Sequence, residues 1–451
     1  MSAGHARGGH NLGQAPWVCL WRVLSPFAGA ARNGRERKGL LMNDFIASLL
    51  EEISRIGRTP SGGANRLGFS PDDQRVRKLF AERMRACGLE VSADAFGNLT
   101  GRLPGLNPSA PAVATGSHLD TVPNGGHYDG VLGCVAGLAA LRELARRPPL
   151  PHPVEVIAFQ IEESSRFSNS TMGSKILTGR ADFEALRQAK DFMGHSLPEL
   201  LAEVGLDFEK LPTAVRKPGT YKAFIEMHID QGPVLENAGV PLGVVTHIVG
   251  AIRARVTFKG VAMHAGGTPM AGRRDALLAG AEAALALNAV AVRHSGRYSM
   301  VGTTGNVRVS PGAINVIPGE VELACELRGT DLTTLRAGWK EFETALAGIA
   351  AARGTPVSIA VTENGVPLPM HPDIQQCLRQ HCRARGIPFI EMASGAGHDA
   401  LNMAHVTPTG MLFVRVRGGL SHHPDEYAAP EDIAAGSAVL LDSLAELAEQ
   451  P

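Results

Sequence analysis

The chain has 451 residues, with 44 Lys plus Arg against 44 Asp plus Glu and 44% hydrophobic residues. That length suits about two or three domains with large cores that need no disulfide staples. The balanced charge excludes a general electrostatic nucleic-acid binder, and an aromatic share of 5% argues against stacking platforms for single strands. No uninterrupted apolar run approaches the ~20 residues of a spanning helix. The richest window, 276–292, is interrupted by Glu282 and Asn288 and reads as an Ala-rich helix of a soluble protein. The six cysteines, Cys19, Cys87, Cys134, Cys325, Cys377 and Cys382, form no CxxC and read as free thiols of a cytoplasmic protein. Cys377 and Cys382 flank His381 on an apparent helix, but too few further ligands lie nearby for a zinc knuckle.

Residues 1–41 hold one acid, Glu36, against Arg7, Arg22, Arg32, Arg35, Arg37 and Lys38. This composition fits a transit peptide, an export signal broken by Arg22 and Pro26, or untranslated sequence ahead of a true start at Met42. The last reading is preferred, and the segment is expected to be disordered. A helix is predicted over 44–56. Ser70-Pro71-Asp72-Asp73 supplies an N-cap, a first-position Pro and first-turn acids for a helix that ends at Gly88. Strands follow over 89–95, 97–103 and 112–117, then a helix over 130–145 and a strand over 154–161. This alternation predicts an α/β sheet covered by helices on both faces.

A second unit begins near Val249. Ile252, Ala254, Val256 and Phe258 alternate with Arg253, Arg255, Thr257 and Lys259, the pattern of a half-exposed strand. A helix over 275–293, strands over 299–309 and 320–328, a helix over 332–352 and a strand over 357–362 complete a β-α-β-β-α-β sandwich with one bare sheet face. From Pro367 the larger pattern resumes. The predicted organisation is therefore a larger mixed-sheet α/β domain over 42–247 and 366–451, with a smaller domain inserted over 248–365.

Six clusters carry chemistry. Gly116-Ser117-His118-Leu119-Asp120 closes a buried strand, where open α/β sheets place their sites. Alone, it reads equally as a capping Asp beside a core His. Asp129, in Gly125-Gly126-His127-Tyr128-Asp129-Gly130, stands at a helix start, where an anion is favoured and a plain N-cap is the ordinary reading. Glu162-Glu163 ends an apolar strand, where adjacent acids repel unless a cation is present. Glu226-Met227-His228-Ile229-Asp230-Gln231 is the fourth cluster, and Met263-His264-Ala265-Gly266-Gly267 the fifth. The sixth combines Gly397-His398-Asp399 with Ser421-His422-His423-Pro424-Asp425-Glu426. Nitrogen and oxygen donors without Cys suit a hydrolytic zinc, manganese, cobalt or nickel site rather than a structural zinc. A shared Asp suggests a pair of ions.

In order and content these motifs resemble the M20 metallopeptidase superfamily. They are most similar to its hydantoinase/carbamoylase branch of N-carbamoyl-L-amino acid hydrolases, allantoate and ureidoglycolate amidohydrolases and β-ureidopropionases. The resemblance runs over about residues 45–448. It implies a zinc-peptidase-like catalytic domain, an inserted lid and dimerisation domain, and two divalent ions per subunit. His118, Asp129, Glu163, His228 and His422 match metal ligands, with Asp129 bridging. Glu162 matches the general base, and Asp120 the acid behind His118. His264 matches the histidine that one subunit's lid offers to its partner's site. Asn315 and Arg328 match the lid residues that grip a substrate carboxylate, and Gln231 and His398 match further pocket residues. Ser164, Gly267 and His127-Tyr128 depart from the usual pattern without removing a ligand, and His423 competes with His422 for its position.

The activity so implied is hydrolysis of the ureido C–N bond of an N-carbamoyl-L-amino acid to amino acid, carbon dioxide and ammonia. Allantoate and N-carbamoyl-β-alanine are the alternative substrates. An M20 aminopeptidase and an inactive metal-binding scaffold are the remaining readings. A homodimer through the lid is implied, with no nucleic-acid or membrane partner.

Overall fold

The computed structural model describes residues 34–167, 169–296 and 300–450. The disorder expected for the N-terminal segment thus falls, up to residue 33, outside the described residues. The first helix, α1 (Gly34–Ser54), begins well before the predicted residue 44. Helix-favouring Glu, Arg, Lys and Leu extend through residues 36–41 with no Pro to stop them. Then come α2 (Pro71–Ala86), the antiparallel pair β1 (Glu90–Ala93) and β2 (Leu99–Leu103), β3 (Ala112–His118), α3 (Val131–Leu144) and β4 (Val154–Phe159). The segment after β4, unassigned from sequence, forms short helices α4 (Met172–Leu177), α5 (Phe183–Gln188) and α6 (Leu197–Glu203). It continues through strand β5 (Tyr221–Ile229), helix α7 (Val234–Ala238) and strand β6 (Leu242–Ile248).

Residues 250–364 form β7 (Gly250–Lys259), α8 (Ala276–His294), β8 (Val301–Ser310), β9 (Glu320–Gly329), α9 (Leu332–Arg353) and β10 (Val357–Asn364). The chain then adds β11 (Leu368–Pro369), α10 (Pro372–Ala384), β12 (Phe389–Ser394), α11 (Ala400–Met403), β13 (Thr409–Val414) and α12 (Pro430–Glu449).

Nine strands make one mixed sheet in the order β1-β2-β4-β3-β5-β13-β6-β11, with β12 also paired to β6. Its centre, β4-β3-β5-β13, is parallel throughout, so these four strands end at one edge. Successive residues point to opposite faces. Val113, Val156, Ile225, Met227 and Leu412 pack under α1, α2, α3 and α12, whereas Ala112, Ala114, Ile157, Phe224 and Met411 join α4, α7 and α11 on the other face. Each large side chain so buried contributes roughly 1.5–3 kcal/mol. Helices therefore cover both faces, as the strand–helix alternation predicts.

The second sheet, β10-β7-β9-β8, is antiparallel. Its own core lies on one side, where Val256, Phe258, Val321, Leu323 and Leu327 meet α8 and α9. Alternate residues of β9 leave the opposite face open. Helix α8 covers the window 276–292, and by length and composition alone it could cross a membrane. Here Ala279, Ala283, Leu287 and Val290 pack on the sheet, while Leu277, Leu278, Leu285 and Val292 are exposed.

Candidate metal centre

The parallel strands deliver their polar residues to one edge. His118 is the last residue of β3, and His228 lies one residue before the end of β5. After β4 the chain turns at Ile161, whose φ of 51° lies in the left-handed region, and this presents Glu162 and Glu163. Asp129 stands ahead of α3, whose positive N-terminal dipole favours a carboxylate. His422, also at positive φ (55°), lies in the loop that follows β13.

These side chains converge. Asp129 Oδ1 lies 3.4 Å from His118 Nε2 and 3.2 Å from His228 Nε2, and Asp129 Oδ2 lies 3.3 Å from His422 Nε2. His422 Nε2 is also 3.4 Å from Glu163 Oε1. One carboxylate thus joins two groups of candidate ligands, His118/Asp129/His228 and Asp129/Glu163/His422. The imidazole tautomers are set from behind. His118 Nδ1–H donates to the Asp120 carbonyl (3.0 Å) and His228 Nδ1–H to the Ile229 carbonyl (3.0 Å). Each Nε2 therefore turns a lone pair inward, and that of His228 accepts from the Gly130 amide.

The donor set fits divalent ions. It holds imidazole nitrogens and carboxylate oxygens with no thiol. Two ligand atoms ~2.0–2.1 Å from one tetrahedral ion stand about 3.3 Å apart, the spacing seen around Asp129. The buried acids Asp120, Asp129, Glu162 and Glu163 also need positive charge to offset their desolvation.

Burial pushes Glu162 well above the usual carboxylate range, with Glu163 adding to the rise. Burial, with the Asp129 charge beside it, raises Glu163 to about 7. Burial also acts upward on Asp129, but the imidazoles of His228, His118 and His422 gathered around it bring it well below its ordinary value. The hydrogen bond to Asp129 raises His422 to about 9, with Glu163 assisting.

Asp120 needs a correction in detail. Its carboxylate stays 3.7 Å from His118 Nδ1 and instead accepts the amides of Glu162 (3.2 Å) and Glu163 (3.1 Å). It anchors the two-glutamate turn, while its backbone carbonyl orients the ring. Glu162 Oε2 lies 3.7 Å from His118 Nε2. Gln231 Nε2 donates to Asp129 Oδ2 at 2.9 Å, so it touches the shared carboxylate. His398 is buried edge-on against His228, with ring centroids 4.6 Å apart, and pairs with the Ser394 hydroxyl. His423 turns away, its Nδ1 accepting the Asp425 amide.

The residues expected from the smaller sheet stand elsewhere. Among the described residues, no hydrogen bond or ion pair joins His264, Asn315 or Arg328 to the cluster. His264 is exposed, and its Nδ1 accepts the Gly266 and Gly267 amides, which leaves the proton on Nε2. Asn315 is exposed on the adjoining loop, where its carbonyl accepts the Ala265 amide. Arg328 lies on the open sheet face, forked onto Glu326 and donating to the Gly395 carbonyl.

Two acids went unassigned from sequence. Glu426 accepts the amides of Tyr128 (2.8 Å) and Asp129 (3.1 Å), and the Ser421 hydroxyl lies between Asp129 Oδ2 (2.8 Å) and Glu426 Oε2 (3.2 Å). Glu226 accepts Ser117 Oγ and the Ala400 amide, both at 2.7 Å, beside His228 and His398. Both sit inside quoted motifs, but only the strand register shows what they face.

Asp129 shared between two groups of nitrogen and oxygen donors, with a protonatable glutamate beside it, defines a metal-dependent hydrolase. Residues 114–446 match the model of Peptidase family M20/M25/M40, and the chain belongs to that family. It is similar to the N-carbamoyl-L-amino acid amidohydrolase of Geobacillus stearothermophilus, 41% identical over 91% of this chain and 100% of that one. It is also similar to the allantoate amidohydrolase of Escherichia coli, 36% identical over 90% of this chain and 98% of that one. The crystal structure of a hydantoinase/carbamoylase-family amidase from Burkholderia multivorans superposes with a TM-score of 0.83 at 34% identity, over 91% of this chain and 98% of the other. The chain is thus a hydrolase of amide C–N bonds, an amidohydrolase.

Proposed function

We propose that this amidohydrolase cleaves the ureido group of N-carbamoyl-L-amino acids. The supporting observation is Asp129 shared by two ligand groups, with Glu162 beside His118, in a chain 41% identical to an N-carbamoyl-L-amino acid amidohydrolase. His118, Asp129 and His228 would hold one divalent ion, and Asp129, Glu163 and His422 a second. Such ions supply an acidified water and a polarised carbonyl, which a ureido group requires because two nitrogens donate into its carbonyl.

Glu162 takes the proton of the attacking water and returns it to the leaving nitrogen, a task that suits a buried carboxyl with a raised pKa. Water is consumed, and the free amino acid, carbon dioxide and ammonia leave. The Nε2–H of His264, its tautomer set by two backbone amides, donates to the developing oxyanion from a second subunit. Arg328 and Asn315 receive the substrate carboxylate, with Arg328 exchanging Glu326 for the ligand. Gln231 and His398 shape the pocket floor. The edge strand β8 and the exposed apolar residues of α8 form the dimer contact.

Ammonia release from N-carbamoyl-L-amino acids, allantoate and N-carbamoyl-β-alanine, before and after chelator treatment, tests this reading. Preference for the first substrate, lost with chelator and regained with metal, supports it. Preference for allantoate or the β-alanine derivative, or chelator-resistant turnover, overturns it.

A further inference from the structure

Away from the sheet edge, α10 and α12 bring together three side chains of metal-binding type. Cys377 and His381 are four residues apart on α10, hence stacked on one helix face. Glu446 projects from the last turns of α12. Single donor atoms from these three residues all lie within 4.8 Å of one another. Cys377 is buried at 4% exposure, and His381 and Glu446 are partly exposed, so the group opens to solvent on one side.

The decisive detail is the direction of the imidazole. His381 Nε2 is buried 2.9 Å from Glu446 Oε2, yet among the described residues it has no hydrogen-bond partner. An ion pair at that distance would align its N–H on the carboxylate. A buried imidazole nitrogen with no hydrogen-bond partner, next to a carboxylate and a thiol, is free to offer its lone pair to an ion. The other side of the cleft carries the thiol, with the buried Ser443 hydroxyl against it one turn before Glu446.

We propose that Cys377, His381 and Glu446 form a second metal site that binds a zinc-class divalent ion and ties α10 to α12. Thiolate, imidazole and carboxylate select Zn2+ or Co2+ over Mg2+ or Ca2+. Three protein ligands leave the solvent-facing position for water. Binding releases the thiol proton, forms one metal–sulfur bond and involves no redox change. The spacing Cys-x3-His lies in the sequence, but the carboxylate arrives from a helix 65 residues further on, across an interface that only the fold creates.

Cobalt reads the site directly, because the sheet-edge centre has no thiol and gives no thiolate-to-cobalt charge-transfer band. Co2+ titrated into the full-length protein should produce that near-ultraviolet band, saturating at one thiolate-bound ion per chain. Cys377→Ser should abolish it. Glu446→Gln and His381→Asn keep the thiol and should raise the Co2+ concentration for half-saturation about tenfold or more, since even outer-shell losses cost about 10–100-fold. Ammonia release should stay at wild-type level in all three. No band in the wild type, a band that persists in Cys377→Ser, or unchanged Co2+ affinity in both other variants would overturn the site. Should Cys377→Ser fail to fold, the two conservative variants decide alone.

Discussion

Gly130 is where the geometry of the metal centre can be tested most sharply. It sits at φ 66° between Asp129 and α3, and a Cβ there would come closer than 3.0 Å to Nε2, Cδ2 and Cε1 of the His118 ring. Ordinary contacts need about 3.5–4.0 Å, so the ring must retreat by roughly 1 Å. Metal–ligand distances tolerate only about 0.2 Å, so Gly130→Ala should remove His118 from coordination. At ψ −47°, with the Val131 amide on the Asp129 carbonyl, Gly130 is a γ-turn residue, so Ala there also strains the backbone by about 1–3 kcal/mol, which lowers the melting temperature of a chain this long by about 1–3 °C. A misplacement of that size typically costs about 100-fold in rate. Gly239→Ala is the control: its φ is 67°, but no atom lies within 4 Å of the added carbon. Its ψ of 24° lies in the αL well, so Ala there carries a milder strain of about 1–2 kcal/mol, and the variant should keep full activity. Ammonia release, metal content and melting temperature on both variants check this. Wild-type turnover and metal content in Gly130→Ala would refute the placement of His118, and equal inactivation of Gly239→Ala would show that strain alone is responsible.

Glu162→Gln should retain bound metal and lose turnover by about 100-fold or more, since only proton handling is removed; wild-type ammonia release would sink the assignment. Metal affinity should rise with pH from about 7 towards about 9, because Glu163 (about 7) and His422 (about 9) hold protons that an ion must displace. Calorimetry in buffers of different ionisation enthalpy should detect proton release at pH 7, and its absence would contradict both assignments. If His264 serves the partner's site, co-expressed His264→Ala and Glu162→Gln chains should recover part of the activity, because one site of the mixed dimer carries both groups intact. Mixed protein as inactive as its parents, despite demonstrated subunit exchange, would place His264 in its own chain's chemistry.

Much of the local structure follows from the sequence by itself. The cap of α2, the apolar runs of β3 and β4 and the period-2 alternation of β7 and β9 each express a short-range preference, and the structure carries them within a few residues. The chemical types of the centre were legible too, because His, Asp and Glu without Cys gather at the ends of strands that read as buried, and together they suit a hydrolytic metal site. β5 was not, although it lies at the middle of the sheet. Its Glu226 and His228 break the apolar run that marks a buried strand, and they are tolerated only because Ser117, Ala400 and Asp129 arrive from elsewhere to satisfy them.

The tertiary structure also decided what each acid faces. The Asp120 carboxylate serves two amides rather than a ring, Glu426 braces the turn that carries Asp129, and Arg328 donates to the Gly395 carbonyl. Such pairings depend on strand order and register, which join residues 42 to 297 positions apart in the chain. Periodicity and capping act over a few residues and carry no information about those partners.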